Sequence, residues 1–176
     1  MKRLLFTLCA LVLSLSAWAG NVAPLGLEVG VADLKTVKAR LGGQTRLKDA
    51  GMNKWTGGPM LKSDGEGLDI EGLQEITFIF GQDDKLDGVI MQLGKHHLQE
   101  VAAALRKKYK VVRENFPFVG DASATYRQGD SVVKLNAPHL SFSMEVLYLS
   151  NRLNAAFNKG SAAEEAERQR RQAEKF

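Results

Sequence analysis

Hydrophobic residues in this chain recur with two different spacings. Leu34, Val37 and Leu41 lie three and four apart, behind Asp33 and ahead of Gly42-Gly43. A polar cap, a one-sided apolar stripe and a glycine stop predict a short helix ending at Leu41. Leu98, Val101, Ala102, Leu105 and Tyr109 recur at i, i+3, i+4, i+7 and i+11, which predicts a longer helix over residues 97–108. Elsewhere the spacing falls to two. Ile76, Phe78 and Phe80 alternate with Glu75, Thr77 and Ile79, so residues 74–80 read as a strand, and a second covers 86–93 after the turn residues Gly81-Gln82-Asp83-Asp84-Lys85. Shorter strands are expected at 45–48 and 55–61. Behind the second helix, strands are expected at 110–113, 124–128, 131–135 and 140–149, parted by Gly129-Asp130 and by Asn136-Ala137-Pro138-His139. In the last of these Leu140, Phe142, Met144, Val146 and Tyr148 share one face, opposite Ser141, Ser143 and Glu145. Phe142 is therefore expected in the core, as is Leu105.

Each half of the chain reads as one helix followed by up to four antiparallel strands, over residues 31–93 and 95–149. Leu34, Val37 and Leu41 map onto Leu98, Val101 and Leu105 at a constant offset of 64. Short connections favour meanders over parallel crossovers, so the fold class is α+β. Two helix-plus-antiparallel-strand units are expected to share one sheet of about eight strands, with the helices on one face and the other face partly wet.

The N-terminus has a separate purpose. Lys2 and Arg3 precede an apolar run from Leu4 to Leu15, and Ala17-Trp18-Ala19 supplies small residues at the −3 and −1 positions. Residues 1–19 are the layout of a cleaved signal peptide, with cleavage between Ala19 and Gly20. The run is shorter than the roughly 20 apolar residues of a spanning helix, so no membrane span is expected after cleavage. Cleavage removes the single Cys9 and leaves 22 basic residues (24 less Lys2 and Arg3) against 20 acidic ones. A cysteine-free mature chain excludes disulfides, thiol nucleophiles and cysteine metal sites. Its mild charge surplus gives no reason to invoke nucleic acid. An exported chain with neither disulfides nor an Asn-x-Ser/Thr sequon fits a bacterial periplasm.

Residues 20–158 form the expected α+β domain and residues 159–176 a charged helical tail. Behind an Asn158-Lys159-Gly160 linker, Ser161 with Glu164 makes a capping-box pattern, and Glu164–Arg168 and Glu167–Arg171 are i,i+4 ion pairs. A solvated, fraying helix is expected there.

Catalytic motifs are absent from the sequence, and no enzyme is read. Ser141 and Ser143 lie near His139, but strand alternation accounts for both as solvent-side residues. His96, His97 and Glu100 gather near a helix start, yet zinc wants three ligands and only distant His139 could add an imidazole. The acidic turns at 64–67 and 83–88 miss calcium-loop spacing, and Gly57-Gly58-Pro59 lacks the Lys-Ser/Thr of a phosphate loop. No metal and no cofactor is expected. Apolar residues in loops carry more. The glycine-rich segment 50–72 holds Met52, Trp55, Met60 and Leu61, and Asn115-Phe116-Pro117-Phe118 sets two aromatics around a proline that lets only one point inward easily. Trp55, Met60, Phe116 and Phe118 would form a patch of aromatic and apolar anchors if both loops lay at one edge of the sheet.

The element order over residues 31–149 resembles the architecture of β-lactamase inhibitor proteins, in which tandem helix-plus-four-strand units form a curved sheet that grips a partner. It is also similar to the small periplasmic lipoproteins of outer-membrane barrel assembly, whose helical segment is likewise followed by a β meander. This chain has neither the disulfides of the first nor the lipid-bearing Cys of the second, and no functional residue is carried over. The resemblance implies a style of action: binding another envelope protein as an inhibitor or immunity-like partner. The alternative is a structural or assembly factor that adds strands at a sheet edge, and a less favoured one is a small-ligand binder using the concave sheet face.

Overall fold

The computed structural model describes residues 20–174. The targeting segment read at 1–19 and the terminal Phe176 lie outside them. Asp33 caps the first helix, α1 (Leu34–Leu41), its Oδ1 accepting from Thr36 N at 2.8 Å. Four strands follow: β1 (Lys48–Met52), β2 (Gly57–Ser63), β3 (Leu73–Gly81) and β4 (Leu86–Gly94). A single 3₁₀ turn, Lys95–His97, leads into α2 (Leu98–Lys108), whose Ala102 and Leu105 are buried. Then come β5 (Lys110–Asn115), β6 (Ala122–Gln128), β7 (Ser131–Ala137), β8 (Ser143–Ser150) and a 23-residue helix, α3 (Asn151–Ala173). The class is α+β.

All strands join one antiparallel sheet in the order β1-β2-β3-β4-β8-β7-β6-β5. The chain therefore meanders inward to β4, leaves, and meanders inward again from the far edge to β8. The two inner strands pair in unbroken register from Gly88↔Leu149 to Gly94↔Ser143. Segment 64–72 is the only long connection left of the expected loop 50–72, because β1 and β2 occupy its first half.

One face of the sheet is apolar along its length, and the other is apolar only near α3, with Glu75, Gln92, Lys134 and Glu145 on the rest of it. On one, Ile76, Phe78, Phe80, Val89, Met91, Val133, Leu135, Met144 and Val146 pack with Val37 and Leu41 of α1, with Ala102 and Leu105 of α2, and with Val22, Leu27 and Val29 of the entering chain. On the other, Ile79, Val132, Leu147 and Leu149 surround Leu153 of α3, with Trp55, Met60, Ile90 and Phe157 at the margin. The helices do not all lie on one face as expected: α1 and α2 pack on the first and α3 on part of the second.

The tail also differs from its sequence reading. Helix α3 begins at Asn151 and runs through Asn158-Lys159-Gly160 without a break. Its cap is Ser150, whose Oγ accepts from Leu153 N at 3.0 Å, so Ser161 starts nothing. Trp55, in the β1–β2 turn, stacks on Phe157 with centroids 4.3 Å apart, and Lys54 pairs with Glu164 at 2.9 Å. The turn itself is built on buried Asn53, whose amide donates to the Gly58 and Phe80 carbonyls while its Oδ1 accepts from Thr56 N. The base of α3 is clamped electrostatically. Arg152 donates to Asp87 at 2.9 Å and to Asp83 at 3.0 Å, and Ser150 Oγ donates to Asp87 at 3.1 Å. Among the described residues no helix is long and apolar enough to cross a membrane.

Phe142 is the second correction. It is 95% exposed, because β8 starts only at Ser143 and the residue lies beyond the end of the sheet. Leu105 is buried as expected.

Two outcomes follow from α3. Leu153→Ala removes a side chain with no exposure and should cost about 2–5 kcal/mol in denaturant unfolding, whereas truncation after Lys159 should shift the thermal midpoint by only a degree or two. A drop after truncation as large as that of Leu153→Ala would mean that the distal helix is docked. The clamp also sets an acid limb. The hydrogen bond from Arg152 holds the Asp83 carboxyl below its ordinary range. A carboxyl whose pKa is lower folded than unfolded adds stability at neutral pH and loses it as the pH falls through about 4 and below. Thermal midpoints measured from pH 7 to 3 should therefore fall less steeply for Asp83→Asn than for wild type.

Candidate functional site

Strand β5 leads to the loop 116–121, and its position is set from below. Glu114 accepts from Arg106 of α2 (Nη2 at 3.0 Å) and from the hydroxyl of buried Tyr126 at 2.9 Å. The Arg106 hydrogen bond holds the Glu114 carboxyl below its usual range, and burial, then Glu114 itself, pushes the Tyr126 hydroxyl up to about 12. Helix, edge strand and neighbouring strand are thus tied at one polar point. Beyond it, Pro117 parts the two aromatics. Phe116 packs against the core formed with α1 and α2, and Phe118 stands fully in solvent at 105% exposure.

A second loop, 138–142, connects β7 to β8 beside the first. The residue order explains why it leaves the sheet: Pro138 cannot donate to the ladder, and the Ser141 N–H turns back to the Pro138 carbonyl at 3.2 Å. Its tip carries Leu140 at 93% exposure and Phe142 at 95%. Hydrogen bonds tie the two loops together. His139 N donates to Asp121 Oδ1 at 2.7 Å, and Gly120 N donates to His139 Nδ1 at 3.3 Å. Lys95 fastens the second loop to the 3₁₀ turn: its N–H donates to the Phe142 carbonyl at 2.8 Å and its ammonium to the Pro138 and His139 carbonyls. Phe118, Val119, Leu140 and Phe142 are thereby presented on a polar framework that holds the backbone beneath them. All four lie outside the core.

The four sequence candidates are not brought together. Trp55 belongs to the β1–β2 turn, which the pairing Gly57↔Gly81 puts at the end of the sheet opposite loop 116–121. It and Met60 pack on the face that α3 covers, and Phe116 packs inward. Phe118 alone of the four stands at the loop tips. Leu140 and Phe142 join it although strand periodicity had assigned them inward, and Val119 follows Phe118 directly. The hydroxyls near His139 have other partners: Ser141 Oγ lies 3.1 Å from Ser143 Oγ, and the His139 ring accepts from Gly120.

No family model matches the chain and no curated protein matches it. Among solved structures, a DUF4309 family protein (YjgB) from Bacillus subtilis is similar at 14% identity, with a TM-score of 0.38, over 76% of this chain and 88% of that one.

Phe118→Ser and Phe142→Ser should each unfold within about 1 kcal/mol of wild type, the range of surface changes, and Phe116→Ser should cost clearly more. Denaturant unfolding of the three variants checks this. Equal losses at all three would place the loop tips in the core.

Proposed function

We propose that this chain is an exported, non-enzymatic protein-binding protein of the bacterial envelope, and that it holds its partner with Phe118, Val119, Leu140 and Phe142. One observation carries the reading: four large apolar side chains, each more than half exposed, stand on two adjacent loops joined by hydrogen bonds from the backbone of each to a side chain of the other. A preorganised apolar tip loses little conformational entropy on binding, which is how a small surface reaches useful affinity. The signal-type residues 1–19 support export to a periplasm.

The two-unit reading belongs to the same proposal. Helix-plus-four-strand order occurs twice, and the strand order β1-β2-β3-β4-β8-β7-β6-β5 is what two such units give when their last strands pair. That arrangement supports the likeness to β-lactamase inhibitor architecture, and with it an inhibitor or immunity-like role against an envelope enzyme. The assembly-factor reading has one observation in favour: β5 is an open edge with Val111 and Val112 exposed. A register shift between Val111 and Arg113 and the cations Lys110 and Arg113 blunt that edge, so strand addition is the weaker alternative.

The test is photo-crosslinking in envelope extract with a benzophenone residue placed at 118, at 142 or, as control, at Lys35 on α1. Capture of one common protein from 118 and 142 and none from 35 is the expected result, with loss of its binding in a Phe118→Ser/Phe142→Ser variant. Different products from the two tips, or binding that survives the double variant, would sink the proposal.

A further inference from the structure

The β2–β3 connection and the start of α2 bring together donors that lie far apart in the chain. Glu71, His97 and Glu100 each present a ligand-type atom, and these atoms all lie within 4.8 Å of one another. His97 Nδ1 is 3.3 Å from Glu100 Oε2. The imidazole is the fixed member. Its side chain is 12% exposed, its ring lies 4.0 Å from that of His96, and it seats against Gly72, where a Cβ would fall 2.2 Å from the ring Cδ2. Gly72 at φ +75° is therefore required twice, for the turn and for room beside the ring. The two carboxylates are exposed, and Glu100 already lies against the ring.

We propose that Glu71, His97 and Glu100 bind a divalent transition-metal ion, zinc foremost. A tetrahedral ion with bonds of about 2.0–2.1 Å spaces its ligands roughly 3.3–3.4 Å apart. The His97–Glu100 pair already has that separation, and Glu71 needs to close by no more than about 1.5 Å, a rotamer adjustment. One imidazole and two carboxylates suit zinc, whereas calcium takes six to eight oxygens and no nitrogen. Three protein ligands on an exposed rim leave the fourth position to water. Of the stretch 96–100 only His97 and Glu100 belong to the cluster, and the third ligand comes from a residue that only the fold carries there. The ion would pin the β2–β3 connection to the start of α2, two residues from the Lys95 that holds loop 138–142. The site stands whether or not the loop tips bind a partner.

Chelator-treated protein titrated with Zn²⁺ by calorimetry, and with Co²⁺ by absorption, is expected to bind one ion per chain. Glu71→Gln, Glu100→Gln and His97→Gln should each weaken binding at least about tenfold, the lower end of what losing even an outer-shell partner costs. Glu71 is exposed, so Glu71→Gln should leave the metal-free thermal midpoint unchanged, which separates lost affinity from lost fold. His96→Ala should leave affinity unchanged. Binding that Glu71→Gln does not weaken, or that His96→Ala abolishes, overturns the site, as does the lack of any saturable binding in wild type.

Discussion

The pairing of β4 with β8 is the constraint on which everything else in the molecule rests. It is the one place where the first four strands meet the last four, and both apolar clusters run across it. Its end is sealed by a buried carboxylate. Asp87, 1% exposed, precedes Gly88 and accepts from Ser150, which follows Leu149, so the last pair of the ladder continues into a side-chain bond. Arg152 neutralises that carboxylate from the first turn of α3. Arg152 is itself half exposed, so it ties the helix to the seam at the rim, where Ser150 remains the inner partner of the carboxylate. Gly88 eases the joint: a Cβ there would lie 2.7 Å from Leu153 Cδ2, so a larger residue would push the leucine tip aside.

Much of this was legible in the residues. The Asp33 cap, the stripes of both early helices and the alternation in β3 and β8 are local signals, and each marks an element close to its place. Periodicity reports which face a side chain takes but not where a strand quits the sheet. Phe142 keeps the phase of Met144 and Val146 and yet lies one residue before β8 begins, so an inward assignment turned into near-complete exposure. The seating of α3 was hidden for a different reason. Leu153 and Phe157 are only two apolar residues one turn apart, too few to announce a buried face, and the charged run after them reads as solvated. Their burial comes from Trp55 and the outer face of β8, which the sequence places far away.

The candidate site divides in the same way. The proline between Phe116 and Phe118 marks one inward and one outward aromatic, but only the fold decides that Phe118 is the outward one. The companions Leu140 and Phe142 could not be picked out, since their exposure depends on Lys95, Asp121 and Gly120 reaching across from other connections. Glu71 shows the limit most plainly. Nothing in its surroundings marks it, and it acquires chemical meaning only beside His97.

Strand β8 begins directly after loop 138–142 and ends directly at α3, with a bonded neighbour on each side. The consequence is mechanical. A pull between the loop tips and the C-terminal helix runs along the axis of this strand and loads the ladders to β4 and β7 together in shear, where all their hydrogen bonds must yield at once. Tension applied across an edge such as β5 would instead peel one bond after another. The molecule is therefore stiff along the line that joins its exposed aromatic tip to its charged helix, and soft across it.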